Sequence, residues 1–169
     1  MNKQDPQPQE PKTVIFADGD GHVLDWLVYT IKMNNNALID VLGQTMGLKQ
    51  AKSLLKKTKP DVLVVGLGIS TSMTVDHYLE LMNIADMDYP QMLTVTVVDN
   101  IGLVVFDDII MARGNRGCFI TSKKCDILEA WIISPPKGNS VSLDIKDHFQ
   151  ILSRQSRIIK ESKKDETHG

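Results

Sequence analysis

Short apolar runs alternate with amphipathic stretches from about residue 13 to residue 134 of the chain. Five of the runs are rich in β-branched residues and are bounded by glycine, proline or polar residues, which is typical of strands buried on both faces. We predict these strands at 13–17, 37–44, 61–67, 92–98 and 117–121. The stretches between them repeat apolar residues at helical spacing, and we predict helices at 22–33, 48–57, 74–85, 103–112 and 125–133.

The regular alternation of strand and helix predicts a parallel sheet that is covered by helices on both faces. At this length the flavodoxin-like (βα)5 fold, a doubly wound sheet with strand order 2-1-3-4-5, fits the pattern. In such sheets ligands and functional side chains collect at the carboxyl ends of the strands, near the point where the strand order reverses. We therefore expect the functional residues to follow the first and third strands.

Three segments lie outside this folded unit, which we place at 13–134. Residues 1–12 are polar and rich in proline, which predicts a disordered tail. We interpret residues 135–140 as a linker, and 141–169 as a C-terminal helix with a charged end. The apolar stripe of that predicted tail helix comprises Phe149, Leu152 and Ile159.

Composition narrows the class of protein. The 169 residues are 42% hydrophobic and carry a net charge of −2, which indicates a soluble globular chain without a global attraction to nucleic acid or anionic membrane. The amino terminus is polar, and no apolar run approaches the roughly 20 residues that span a bilayer, so we expect a cytoplasmic protein with no membrane partner. Cys118 and Cys125 stand without metal-ligand spacing, and we predict free, buried thiols and no metal site.

Four segments at the predicted strand ends resemble the receiver domains of bacterial two-component response regulators. In chain order they are IFADGD (15–20), KPDVLVVGLG (59–68), LTVTVVDN (93–100) and RGNRGCFIT (113–121). They are similar to the ends of the first, third, fourth and fifth strands of that family, most of all of its LuxR-type members. The resemblance covers about 13–134 and implies the flavodoxin-like fold and a role in signal transduction and transcription regulation.

The resemblance also implies that the phosphorylation site is degenerate. Receivers use two acids and a phosphoacceptor aspartate to hold Mg²⁺, and a hydroxyl and a lysine to respond to the phosphoryl group. By position Asp18 matches the first acid and Thr96 the hydroxyl, whereas Gly19, Gly66 and Thr121 stand in place of the second acid, the phosphoacceptor and the lysine. Because glycine has no side-chain oxygen, we predict a pseudo-receiver that is not phosphorylated on aspartate. We assign no catalytic residue and no cofactor to it, and expect no enzymatic activity.

Other interpretations of these residues remain open. Asp18 is also suited to cap the first helix, and Thr96 to serve only as a strand residue. A second hypothesis for the whole chain is a flavodoxin-like small-molecule-binding or enzymatic domain that forms a pocket from the loops at 18–22 and 66–72.

The partners that we predict are proteins. The fourth predicted helix has more apolar positions than one buried face requires, which favours a homodimer. The residues that we expect in its interface are Val105, Phe106, Ile109, Ile110 and Trp131. A regulatory protein is a further candidate partner, and DNA would be bound only through a domain that is not evident in this chain.

Overall fold

A parallel β-sheet organises the chain and forms the edge at which the candidate site lies. The computed structural model describes residues 6–19, 24–68, 72–98, 108–109, 111–113, 117–121, 124–136 and, for the backbone alone, 140–141. The strands are β1 (Lys12–Asp18), β2 (Ile39–Met46), β3 (Val62–Leu67), β4 (Leu93–Val98), β5 (Cys118–Thr121) and β6 (Ser140–Val141). The helices with described bounds are α1 (Asp25–Asn34), α2 (Gly47–Thr58), α3 (Val75–Asp88) and α4 (Cys125–Ile133).

The strand order is β2-β1-β3-β4-β5-β6, and every neighbouring pair is parallel. The predicted order 2-1-3-4-5 and the flavodoxin-like arrangement are therefore confirmed. The sixth strand is a correction, because Ser140 falls in the segment predicted as a linker (135–140) and pairs with Cys118 at the edge of the sheet. A strand of two residues is too short to carry a period of two in the sequence.

The bounds of β2 differ from the prediction of 37–44. The side chain of Asn36 accepts a hydrogen bond from the backbone N–H of Leu38 at 2.9 Å, so that the turn continues to Leu38 and the strand starts at Ile39. The first strand begins at Lys12, one residue inside the segment predicted as a disordered tail, and Lys12 pairs with Ile39. The predicted tail helix (144–164) lies outside the described residues.

The two faces of the sheet carry separate cores. Along β3, Val62 and Val64 pack under α1 and α4, whereas Leu63 and Val65 pack under α2 and α3. We refer to these as the α1–α4 layer and the α2–α3 layer. Because every strand residue from Val62 to Leu67 is buried, β3 shows the continuous apolar run that doubly covered parallel strands require.

No helix within the described part of the chain combines the length and the apolar character needed to cross a bilayer.

Candidate functional site

The carboxyl ends of β1 and β3 bring Asp18 and Gly66 together. The two strands pair in parallel, with Phe16 opposite Val64 and Ala17 opposite Val65. Asp18 follows Ala17, and Gly66 follows Val65. Asp18 and Gly66 therefore lie next to each other at the carboxyl edge of the sheet. This is the edge at which the sequence predicted the functional residues.

The carboxylate of Asp18 is buried, with 2% of the residue exposed, and it accepts two backbone hydrogen bonds. Oδ1 accepts from the N–H of Gly19 at 2.8 Å, and Oδ2 accepts from the N–H of Leu24 at 3.0 Å. Leu24 is the residue immediately before α1, and it has no side chain able to cap the helix. Asp18 thus fastens the start of α1 to the end of β1, which agrees with the helix-capping alternative for this residue.

Gly66 has no room for a side chain. A Cβ atom added to it would stand 2.7 Å from Oδ1 of Asp18 and 3.1 Å from Cγ of Leu24. Both distances are shorter than ordinary van der Waals contact, and the carboxylate is held in place by its two backbone bonds. The space that a phosphoacceptor side chain at position 66 would need is therefore filled by Asp18 and Leu24.

Thr96 does not join this pair. Side chains alternate between faces along a strand, and its neighbours Val95 and Val97 lie in the core of the α1–α4 layer, on the same side of the sheet as Gly66 and Asp18. Thr96 therefore faces the α2–α3 layer. Thr96, which matches the receiver hydroxyl by position, therefore does not lie beside Asp18 and Gly66, because residues one apart along a strand point to opposite faces.

The hydroxyl of Thr96 instead lies 2.6 Å from the phenol oxygen of Tyr78 on α3. Both side chains are buried, at 3% and 0% exposure. Burial raises the pKa of Tyr78 to about 12, although the hydrogen bond with Thr96 and the charge of Arg113 act in the opposite direction. The sequence did not predict this pair, since a tyrosine within a helix gives no signal of its partner on a strand.

The two other positions predicted for the degenerate phosphorylation site are Gly19 and Thr121, and neither has a charged side chain. Gly19 is buried and contributes only its N–H, which Asp18 accepts. Thr121 ends β5 opposite Val98 and shares the α2–α3 side of the sheet with Phe119. Within the described ranges, no three or more histidine, cysteine, aspartate or glutamate side chains are close enough to hold a metal ion.

The buried, charged side chain of Arg113 lies near Thr94, at the start of β4. The guanidinium of Arg113 donates to the carboxylate of Asp86 at 2.6 Å and to the hydroxyl of Thr94 at 3.3 Å. Only 4% of the Arg113 side chain is exposed. Gly117 has a φ of 89°, and a Cβ on it would stand 3.2 Å from Nη2 of Arg113, so both the turn and the close approach require glycine there. This cluster ties α3 to the residues that lead into β5.

The structure describes two of the five residues predicted for the dimer interface, Ile109 and Trp131. Ile109 is fully buried in the α2–α3 core of its own chain, so it is not available to a partner and is withdrawn from the interface. Its side chain belongs to the same core cluster as Leu81 and Ala85 of α3 and Phe119 of β5. Trp131 is half-buried against the α1–α4 core. Val105, Phe106 and Ile110 lie outside the described residues, as does most of the predicted fourth helix (103–112).

A cavity of about 490 Å³ lies where β2 meets α2, close to the start of α3. The residues that line it are Met46, Gly47, Leu48, Lys49, Gln50, Lys52, Ser72 and His77. Two of its polar side chains already have partners: Oε1 of Gln50 accepts from the N–H of Met46 within the lining, and Lys52 pairs with Glu80 at 2.6 Å.

No protein-family model matches the sequence. A comparison with curated proteins finds no significant match. Among solved structures, the isolated REC domain of RcsB from Salmonella enterica serovar Typhimurium is 14% identical with a TM-score of 0.59, over 77% of this chain and 94% of that one. A LuxR family two-component response regulator from Aurantimonas sp. SI85-9A1 is 12% identical with a TM-score of 0.58, over 88% of this chain and 99% of that one.

Two further similar structures are of longer proteins, and this chain matches only about three fifths of the length of each. An RcsB response regulator from Salmonella typhimurium is 16% identical with a TM-score of 0.54, and the match covers 72% of this chain but 58% of that one. A cobalamin-binding protein from Desulfitobacterium hafniense DCB-2 is 14% identical with a TM-score of 0.50, over 72% of this chain and 59% of that one. At these sequence identities the similarity concerns the fold alone. The chain has the fold of response-regulator receiver domains, and the cobalamin-binding protein shows that proteins of other function have a similar fold.

Proposed function

We propose that the chain is a receiver-like signalling domain whose output is set by protein contacts and not by phosphorylation of an aspartate. The receiver fold supports a role in signal transduction. The observation that carries the proposal is the 2.7 Å between Oδ1 of Asp18 and the position of a Cβ on Gly66. Position 66 has neither a side chain that could act as the nucleophile nor the space for one.

Phosphoryl transfer to a receiver depends on a carboxylate oxygen that attacks the donor and on a hard cation held by several oxygen ligands. Gly66 offers no side-chain oxygen to attack a phosphoryl donor. Asp18 directs its two oxygens toward the backbone N–H groups of Gly19 and Leu24, so a cation there would compete with the bonds that hold the start of α1. The remaining donors in this region therefore favour a structural role for the carboxylate.

A domain of this kind can still transmit a signal. A partner that binds one arrangement of the domain more tightly than another shifts the balance between them without covalent modification. We propose a homodimer as the basic signalling unit, with a regulatory protein as a further partner. The similar RcsB response regulator interacts with DNA; in this protein, transcription regulation would require a DNA-binding domain in addition to the receiver-like one.

A second candidate function is binding of a small molecule at the carboxyl edge of the sheet, in a cavity that shares only Ser72 with the loops (18–22 and 66–72) from which the sequence predicted a pocket. Two observations favour it: the cavity of about 490 Å³ beside Gly47, Ser72 and His77, and the fold shared with a cobalamin-binding protein. That volume lies within the roughly 300–1,000 Å³ that ligand pockets occupy. Because that protein binds cobalamin, a cobalamin is the ligand to test first.

Two titrations separate these functions. With beryllofluoride and Mg²⁺, ¹⁹F NMR should show no protein-bound signal for this chain, whereas the RcsB REC domain, whose structure was determined with that phosphomimetic, serves as the positive control. A bound signal would contradict the first proposal. With hydroxocobalamin, the first proposal predicts no saturable change in the corrin absorbance bands. A saturable change that is lost in His77→Ala would replace it with the second.

A further inference from the structure

Helix α1 carries bulky apolar side chains on two opposite faces. Leu27, Val28 and Ile31 face the sheet and are buried in the α1–α4 core. On the other side Trp26, Tyr29 and Met33 are 54%, 64% and 65% exposed. Their spacing of three and then four residues places these three side chains in one row along the helix. We call this row the α1 stripe.

The fold does not account for the α1 stripe. A helix on a doubly wound sheet needs one apolar face, and the solvent face is normally polar. Helix α2 follows this rule, since its exposed residues are polar and include Lys49, Gln50, Ser53, Lys56 and Lys57. Adjacent, exposed aromatic and thioether side chains such as those of α1 are typical of a surface that binds another protein.

One acidic and one basic residue lie beside the α1 stripe, so that two copies of the stripe can place opposite charges in contact. Asp25 and Lys32 are both exposed, and their spacing of seven residues, close to two helical turns, puts them on the same flank of α1. Oδ1 of Asp25 also accepts a hydrogen bond from the side chain of Gln44 at 3.0 Å, and a contact with a lysine adds to that bond. Trp26 and Met33 have the same spacing along the stripe. Tyr29 lies near the midpoint of both pairs.

We propose that the α1 stripe is the docking surface for a second copy of this chain. The two α1 helices pack antiparallel about a two-fold axis close to Tyr29. In this arrangement Trp26 meets Met33 of the partner subunit, and the carboxylate of Asp25 lies beside the ammonium of Lys32 of the partner subunit. Each contact occurs twice, as an isologous interface requires.

The charges favour a second copy over an unrelated partner. In an antiparallel pair, residues on one flank of a helix meet residues on the same flank of its partner, so an acid at one end and a base at the other become opposite charges in contact. Two aromatic rings of 150–250 Å² and a methionine, each about half to two-thirds exposed, amount to roughly 300–400 Å² per copy. This is below the roughly 800 Å² per partner of a standard interface, so we expect a dimer that forms at micromolar concentration or above.

This inference rests on the proposed homodimer and gives it an interface other than the one predicted from the fourth helix. It is independent of the phosphorylation chemistry, which the beryllofluoride titration tests separately. Sedimentation velocity of the full chain from about 1 to 200 µM should show a reversible monomer–dimer equilibrium. Tyr29→Lys brings two cations together at the axis and should raise the dissociation constant at least about tenfold. Met87→Lys is the control, because Met87 is 74% exposed on α3 and lies outside the stripe.

Charge reversal tests the antiparallel arrangement. Asp25→Lys and Lys32→Asp each place like charges together and should weaken the dimer about three- to tenfold, whereas the double variant should return to within about twofold of the wild type. Circular dichroism and thermal melts confirm that each variant is folded. A wild-type monomer at 200 µM, a dimer that Tyr29→Lys leaves unchanged, or a double variant without rescue would each overturn the proposal.

Discussion

The carboxylate of Asp18 occupies the place that a side chain on Gly66 would take, with Oδ1 2.7 Å from the position of its Cβ. The relationship is mutual: glycine at position 66 allows the carboxylate to turn back onto the N–H groups of Gly19 and Leu24. At the carboxyl edge of the sheet, the joint of β1, β3 and α1 consists of the Asp18 carboxylate, which bonds the start of α1 and lies against Gly66 of β3. This joint should tolerate little added volume at position 66.

Gly66→Ala should destabilise the protein by about 1–3 kcal/mol, the cost of forcing an extra carbon into a filled core. Gly43→Ala is the matched control, also in a strand, where the new Cβ would meet the flexible end of Leu54 at 3.3 Å. We expect the control to change the free energy of unfolding by less than about 0.5 kcal/mol. Urea unfolding of both variants measures the difference, and equal values would show that position 66 is not crowded.

The buried hydroxyl pair on the α2–α3 side gives a second prediction. Tyr78→Phe leaves the hydroxyl of Thr96 without its partner at 2.6 Å, and should lower the free energy of unfolding by about 1–3 kcal/mol. Tyr29→Phe, on an exposed ring, should change it by less than about 0.5 kcal/mol. If Thr96→Val in the Tyr78→Phe background failed to recover part of the loss, the pair would not be the cause.

The same pair predicts a dependence on alkaline pH. Burial raises the pKa of Tyr78 to about 12, whereas the unfolded chain has a tyrosine pKa near 10. Above about pH 10 the unfolded state loses this proton while the folded state keeps it, so the free energy of unfolding falls until the pH passes about 12. Stability should therefore decline less steeply in Tyr78→Phe than in the wild type between pH 10 and 11.5. Parallel slopes for the two proteins would be inconsistent with the raised pKa.

Two ion pairs of equal length should differ in energy because they differ in burial. Arg113–Asp86 and Lys52–Glu80 are both 2.6 Å long, but their side chains are 4% and 21% exposed in the first pair and 40% and 51% in the second. Arg113→Met leaves Asp86 partly buried without its cation and should cost about 3–5 kcal/mol. Lys52→Met should cost less than about 1 kcal/mol. Guanidinium unfolding compares the two, and similar losses would contradict this assignment.

The sequence predicted the sheet well because its central strands are buried on both faces. The prediction of 92–98 for β4 differs from Leu93–Val98 by one residue, and 61–67 for β3 differs from Val62–Leu67 likewise. Continuous β-branched runs bounded by polar residues carry a strong local signal. At the edge of the sheet the signal weakens, so β2 was misplaced by two residues and β6 was not predicted.

The candidate site was predicted only in part, because its geometry depends on contacts between distant residues. The sequence indicated that Asp18 and Gly66 follow neighbouring strands and that Asp18 is suited to cap a helix. It did not indicate that Leu24 closes the space between them, nor that Thr96 turns to the other face and meets Tyr78. Which face a strand residue takes depends on a register that a single misaligned residue reverses.

Incubation with acetyl phosphate and Mg²⁺, followed by intact-mass spectrometry, tests the central claim most directly. The wild type should gain no phosphoryl group. Gly66→Asp restores the nucleophile but must displace Asp18, so it too should remain unmodified and should unfold at lower urea concentration than the wild type. A hydroxylamine-labile phosphoryl adduct on the wild-type chain would contradict the account.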